Sequence, residues 1–190
     1  DILAHEIGHQ LNARHTFNGS PGDCFALRNA ATAYEPGSGS TIMSIPIADC
    51  GVEDLQSWAD AYFHVATLEE ITSFVTAGAG SACGSTTTTG NTPPTADAGS
   101  EFTIPFGTPF VLSGSGFDAD GDPLSYTWEQ FDLGDPSPPL TDDGFRPIFR
   151  SWPPSSNSTR TLPRLEDLLA GTLAIGESLP TTDRSLTFRL

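Results

Sequence analysis

The chain has 190 residues, a length that suits one or two domains and is enough to bury an apolar core. It is acidic, with 24 aspartates and glutamates against 8 arginines, no lysine and a formal net charge of −16. This balance argues against nucleic acid and anionic membranes as partners, because each phosphate contact needs a cationic side chain. No run of about 18 apolar residues is present, so we expect no membrane insertion.

We interpret the sequence as an internal piece of a longer protein, truncated at both ends. It starts at Asp1 without an initiator methionine and ends at Leu190 within a predicted strand. A secretion signal, a propeptide and the first part of a catalytic domain would then lie upstream.

Residues 1–12 predict a short helix with an apolar side, formed by Ile2, Leu3, Ile7 and Leu11. His5 and His9 lie four positions apart, so a helix presents both imidazoles on one face, where they can bind one metal ion. Glu6 points about a quarter turn away from that face. We therefore predict that Glu6 acts as a general base on water at the metal.

His15 lies six residues after His9, too far to share the same helical face. The chain must turn back after the helix if His15 is to complete a site with three ligands. Asn12 stands where this turn is needed, and asparagine is second to glycine in accepting a positive φ at a helix end. The spacing H-E-x-x-H-x-x-N-x-x-H resembles the zinc signature of the metzincin metallopeptidases, in which glycine usually takes the place of Asn12.

The only methionine of the sequence, Met43, follows His15 by 28 residues. In metzincins a turn that carries a methionine packs beneath the zinc-binding histidines. The resemblance therefore implies that Met43 underlies the metal site; on its own, a single methionine is ordinarily a core residue.

A second helix is predicted over residues 67–77, with Thr67 and Glu70 as its capping box. A zinc helix, a methionine turn and a closing helix followed by a cysteine resemble, over residues 1–83, the lower subdomain of the reprolysin-like (adamalysin-type) metzincins. His64, just before the second helix, is interpreted as a packed or solvated structural residue, with contact to substrate as the alternative.

The cysteines at positions 24, 50 and 83 show no C-x-x-C spacing and do not indicate a second metal site. In an exported protein Cys24 and Cys50 can pair and clamp the loop that carries the active-site segments, and Cys83 would pair with a cysteine upstream. The alternative is three free thiols in a cytosolic protein.

Residues 84–94, rich in threonine, glycine and proline, predict a linker. Residues 95–190 then predict an all-β domain, in which the alternating segment 124–131 places three side chains on one face: Leu124, Tyr126 and Trp128. Residues 95–99 and 118–128 resemble PKD-like immunoglobulin-fold modules, which are often attached to secreted bacterial enzymes. Further strands are predicted at residues 102–105, 110–113 and 185–190.

The predicted fold class is therefore α+β and multidomain. A helical C-terminal subdomain of a metzincin catalytic domain, residues 1–83, is joined by the linker at 84–94 to an immunoglobulin-like sandwich at 95–190. The sandwich is expected to be incomplete at its C-terminus.

Asp118, Asp120 and Asp122 suggest a calcium site, since with Glu129 they match the ligand spacing of an EF-hand loop. Pro123 contradicts that match, because it occupies the position where the loop needs glycine for its sharp turn. An ordinary Asp-Gly-Asp turn between strands explains the same residues, and a calcium site of another kind is the alternative.

The resemblance implies a zinc-dependent endopeptidase with one Zn²⁺ per chain, bound by His5, His9 and His15. Water on the zinc, activated by Glu6, would attack the peptide bond of a protein or peptide substrate. We expect residues 1–190 alone to show little activity, because in metzincins the substrate-binding strand precedes the zinc helix.

The resemblance further implies a protein that is secreted by, or displayed on, a bacterial cell. A competing hypothesis is a secreted adhesion or carbohydrate-binding protein whose metallopeptidase segment is degenerate. The sequence gives no oligomeric state, and it indicates the substrate pocket only as an apolar lining at residues 44–48.

Overall fold

The computed structural model describes residues 2–45 and 50–190. Its α-helices are α1 (Ile2–Gln10), α2 (Gly22–Ala26), α3 (Val65–Thr76) and α4 (Leu165–Ala170), and short 3-10 helices occupy Gly51–Glu53 and Ala79–Ala82. In the described ranges, no helix has both the length and the apolar character needed to cross a membrane.

The strands form small antiparallel pairs. Strand β1 (Thr95–Asp97) pairs with β3 (Ser115–Phe117), β2 (Phe110–Ser113) with β5 (Thr159–Leu162), and β4 (Glu129–Gln130) with β6 (Phe188–Arg189). The chain is thus a mixed structure of helices and small antiparallel sheets, as the α+β class requires. The predicted immunoglobulin-like sandwich of two larger sheets is not shown by these pairings.

Individual strand predictions have different outcomes. The strand at 110–113 is confirmed, and it pairs with β5, which the sequence did not indicate. The segment predicted as a strand at 102–105 is irregular, because its exposed backbone finds no partner strand in the described part of the chain. Of the predicted strand at 185–190, only Phe188–Arg189 is paired.

The apolar side chains gather in separate clusters. The largest lies among the strands and contains Phe110, Leu112, Trp128, Ile148, Phe149 and Leu162. A smaller one lies beneath α1 and contains Ala13, Ile42 and Met43, with Ala4, Phe63 and Ile71 packed against it. A third surrounds the paired cysteines and contains Phe17, Cys24 and Cys50.

Helix α3 begins two residues before the predicted capping box. The N-cap is His64, whose Nδ1 accepts a hydrogen bond of 3.2 Å from the N–H of Ala66. The N–H of Val65 donates to Glu129 Oε2 at 2.6 Å. The hydroxyl of Thr67 is buried without a hydrogen-bond partner in the described chain, so the predicted capping box is wrong.

We call residues 2–45 and 50–83 the histidine region and residues 95–190 the strand region. Residues 84–94 between them are exposed and have no regular structure. Hydrogen bonds connect the two regions: Ser40 Oγ donates to the Ser151 carbonyl at 3.1 Å, and the Tyr62 hydroxyl donates to Ser151 Oγ at 2.7 Å. The strand region therefore packs directly behind the segment that carries Met43, and the division into domains stays a prediction.

Candidate metal centre

Three histidine side chains converge in the histidine region. His5 and His9 lie one turn apart on α1, and His15 returns to them from the following loop. Nε2 of His15 lies 3.2 Å from Nε2 of His5 and 3.1 Å from Nε2 of His9. Among the described residues, no other group of three or more histidine, cysteine or acidic side chains comes together in this way.

The opposite nitrogen of each ring faces a backbone carbonyl. Nδ1 of His5 lies 2.8 Å from the Ile42 oxygen, Nδ1 of His9 lies 2.9 Å from that of Ala13, and Nδ1 of His15 lies 2.7 Å from that of Leu27. A carbonyl oxygen can only accept, so we assign the ring hydrogen to Nδ1 in all three. Each Nε2 then presents a lone pair to the centre of the cluster.

Lone pairs that face one another at 3.1–3.2 Å repel, and these contacts are therefore not hydrogen bonds between the rings. A cation at the centre removes the repulsion. Zinc–nitrogen bonds of about 2.0–2.1 Å place two ligands of a tetrahedral site about 3.3–3.4 Å apart. The two separations to His15 are close to this value, and all three ligand atoms lie within 4.8 Å of one another, so the three imidazoles fit a zinc ion.

The pKa values of two of the histidines favour the neutral, metal-binding form. Burial lowers the pKa of His5 and of His15, and the neighbouring histidines lower it further. The hydrogen bonds to Ile42 and Leu27 and the negative charge of Glu6 act in the opposite direction but do not outweigh burial.

The turn after α1 explains how His15 can reach the other two. Asn12 has a φ of 67°, the left-handed conformation that asparagine tolerates better than most residues. The N–H of Ala13 then donates to the Gly8 carbonyl at 2.9 Å, which closes the helix end. This turn also places the Ala13 carbonyl against His9.

Met43 is fully buried beneath α1. Helix and methionine approach so closely that a Cβ added to Gly8 would collide with Met43 Sδ. The carbonyl of Met43 accepts a hydrogen bond of 3.2 Å from the N–H of Thr16, the residue after His15. The turn that carries Met43 is thus in contact with both stretches that provide histidines.

Glu35 is a buried acidic residue that sequence reasoning missed. Its carboxylate accepts hydrogen bonds from the backbone or side chains of Thr16, Ser40 and Thr41. The run Tyr34–Glu35–Pro36 carries no spacing signal for this role, because the partners come together only in the folded chain.

Cys24 and Cys50 form a disulfide, with their Cα atoms 5.4 Å apart. The alternative of three free thiols is therefore wrong for this pair. Cys24 lies in α2, which ends beside Leu27, so the disulfide fixes the backbone stretch whose carbonyl faces His15. Cys83 is free and exposed.

Glu6 is exposed on α1, one position after His5. Its carboxylate has no hydrogen bond within the described residues. The negative charge of Glu6 still acts on the cluster. It offsets part of the fall in the pKa of His5 and of His15 that burial causes.

His64 lies away from the other histidines and is buried, with 1% of its surface exposed. Its Nε2 lies 3.9 Å from Glu129 Oε2, and burial raises the pKa of that glutamate. These contacts fit a packed structural residue.

The three aspartates considered for calcium form an exposed turn. Oδ1 of Asp118 accepts hydrogen bonds from the N–H groups of Asp120 at 2.8 Å and Asp122 at 3.1 Å. Oδ2 of Asp120 accepts from the N–H of Thr92 at 2.6 Å. The carboxylates thus serve the turn itself, and they do not form a convergent ligand group in the described part of the chain.

The apolar substrate pocket predicted at residues 44–48 is described only in part. Ser44 is buried, and Ile45 packs against the cluster around the disulfide. Residues 46–48 lie outside the described residues.

The family model for the reprolysin-like metallopeptidases of family M12B matches residues 1–59. The match covers less than a third of the chain. It includes Glu6, Met43 and the three clustered histidines, and it supports a metallopeptidase that acts on proteins or peptides. Comparison with curated proteins found no match, and comparison with solved structures found none either.

Proposed function

We propose that the chain carries the active site of a zinc-dependent endopeptidase of the metzincin type. The observation that carries the proposal is the convergence of three Nε2 lone pairs, from His5, His9 and His15, with every Nδ1 committed to a carbonyl. The family match over residues 1–59 supports the same reading.

In this proposal His5, His9 and His15 hold one zinc ion per chain as neutral ligands. Bound there, zinc would lower the pKa of a water molecule towards neutrality and polarise the scissile carbonyl. The Glu6 carboxylate would accept a proton from the attacking water and pass it to the nitrogen of the leaving amine. Asn12 shapes the turn that brings His15 into place, and Met43 supports the helix from below.

The replacement Glu6→Gln in the full-length protein tests this assignment. It keeps the size of the side chain but removes the base, so we expect stoichiometric zinc with peptide cleavage reduced by at least roughly a hundredfold. Glu101→Gln, a matched change at an exposed residue of the strand region, should leave cleavage at the wild-type rate. Wild-type cleavage by Glu6→Gln would refute the role of Glu6.

The same measurements separate the competing function. A secreted adhesion or carbohydrate-binding protein with a degenerate metallopeptidase segment would contain no stoichiometric zinc and would cleave no peptide. The complete set of three histidines and Glu6 weighs against degeneration. The buried disulfide is consistent with a protein that is secreted or displayed on a cell surface, and that location is part of the proposal.

A further inference from the structure

We infer that Glu35 is a positioning residue for the metal-binding histidines. The inference rests on the zinc site proposed above, and it begins with the way the rings are oriented. All three Nδ1 atoms face backbone carbonyls. The position of a backbone carbonyl depends on how the surrounding chain is held, and not on the side chain of the residue that carries it. The groups that orient metal-binding histidines are therefore, in this chain, the residues that hold those stretches of backbone.

One oxygen of Glu35 holds the turn that faces His5. Oε1 accepts hydrogen bonds from the N–H of Ser40 at 2.9 Å and the N–H of Thr41 at 3.1 Å. The Ser40 hydroxyl also lies 3.1 Å from this oxygen, and it shares its one hydrogen between Oε1 and the Ser151 carbonyl. Ile42, the residue after Thr41, presents its carbonyl to Nδ1 of His5. A displacement of Ser40 and Thr41 would therefore move the oxygen that orients His5.

The other oxygen holds the segment that follows His15. Oε2 accepts hydrogen bonds from the hydroxyls of Thr16 at 2.5 Å and Thr41 at 2.6 Å. The N–H of Glu35 adds a bond of 2.8 Å to the Thr16 carbonyl. A single carboxylate thus ties the chain directly after His15 to the turn that orients His5.

These hydrogen bonds are shielded from water. Glu35 is 1% exposed, and Thr16 and Thr41 are fully buried. Loss of the acceptor would leave several buried donors without partners, which costs more than the same loss at a surface. We expect the turn to shift rather than tolerate those unsatisfied groups, and the histidine rings to lose their alignment with it.

Glu35→Gln in the full chain tests the inference, because it keeps the shape but turns an NH₂ group towards donors. We expect zinc affinity of the folded variant to fall by roughly 10- to 100-fold, the usual effect of losing an outer partner of a metal ligand. The measurement is competition with a chromophoric chelator. The visible absorption of the Co²⁺-substituted protein, which reports ligand geometry, should change as well.

Glu177→Gln is the matched control for a purely structural effect. Glu177 is fully buried in the strand region and accepts from Trp152 and Arg160, so its replacement should lower the melting temperature without changing zinc affinity. Equal zinc affinity in wild type and Glu35→Gln would overturn the inference and leave the zinc site intact. Absence of zinc from the wild type would refute the proposed function, and the inference with it.

Two milder variants serve if Glu35→Gln does not fold. Thr16→Val and Thr41→Val each remove one hydroxyl donor while keeping the side-chain shape, and we expect zinc affinity to fall by roughly two- to tenfold. Thr67→Val is the matched control, because Thr67 is equally buried but its hydroxyl has no partner in the described chain. Wild-type zinc affinity in both test variants would overturn the inference.

Discussion

The apolar cluster beneath α1 has three buried members, Ala13, Ile42 and Met43, whereas that of the strand region has six, among them Phe110, Trp128 and Phe149. Near the histidines, buried hydrogen bonds and a disulfide stabilise the packing of the chain where the apolar core is small. Polar contacts fix directions as well as distances, which is what three converging imidazoles need. We therefore expect changes to these hydrogen bonds or to the disulfide to alter metal binding, and changes in the apolar core of the strand region to alter stability alone.

Phe149→Ala has the largest expected effect on stability, and it tests whether the strand region affects stability alone. Phe149 is 1% exposed and packs against Phe110 and Phe188 with ring centroids 5.8 and 6.0 Å apart. Its truncation should reduce the free energy of unfolding by about 3–5 kcal/mol in chemical denaturation. Zinc affinity of the folded variant should equal that of wild type.

Phe145→Ala is the control, since this ring is 72% exposed and its loss should be nearly neutral. A fall in zinc affinity in Phe149→Ala would contradict this expectation, because it would show that packing in the strand region also stabilises the metal site.

Removal of the disulfide tests the other side of the comparison. Cys24 and Cys50 are 26 residues apart, so Cys24→Ala with Cys50→Ala should cost about 3–4 kcal/mol of unfolding free energy. Unlike Phe149→Ala, it should also weaken zinc binding, because the stretch that presents the Leu27 carbonyl to His15 loses its anchor. Chelator competition measures the second effect.

Cys83→Ala, at the free and exposed cysteine, is the matched control and should change neither quantity. If the double variant binds zinc as tightly as wild type, the disulfide supports stability only.

Gly8→Ala probes the close approach of α1 to Met43. Alanine normally stabilises a helix by about 1 kcal/mol relative to glycine. Here its Cβ would collide with Met43 Sδ, so we expect a net loss of about 1–3 kcal/mol in chemical denaturation. Gly84→Ala, where an added Cβ meets nothing within 4 Å, should be neutral. If Gly8→Ala unfolds with a higher free energy than wild type, Met43 must move away from the added Cβ without an energetic penalty.

Thr67→Val has the smallest predicted effect, and it has the opposite sign. The Thr67 hydroxyl is buried with no partner among the described residues, so its replacement by a methyl group should stabilise the protein by about 1 kcal/mol. Thermal unfolding checks this as a rise in melting temperature. A lower melting temperature would reveal a hydrogen bond of this hydroxyl and remove it as a control for Glu35.

The sequence predicted the parts of the site whose geometry is local. Helical spacing brings His5 and His9 together, and Asn12 marks the turn that returns His15, so a short stretch of chain contains most of the information. Met43 needed the family resemblance as well, because a single methionine carries no spacing of its own. Glu35 was beyond prediction, since Thr16 and Thr41 meet it only through the fold.

The same distinction holds for the fold. Helix α3 was predicted from its apolar spacing, but its start was not, because the acceptor of the Val65 N–H is Glu129, a residue 64 positions away. Strand β5 lacks an alternating apolar pattern and becomes a strand by pairing with β2. Residues 102–105 have strand-like composition but no partner in the described ranges, which shows that propensity alone does not make a strand.

X-ray absorption at the zinc edge of the purified, zinc-loaded chain tests the central claim most directly. The convergence of His5, His9 and His15 predicts one zinc per chain with three imidazole nitrogens at about 2.0–2.1 Å. Fewer than three imidazoles, or ligands dominated by sulfur or carboxylate oxygen, would contradict it.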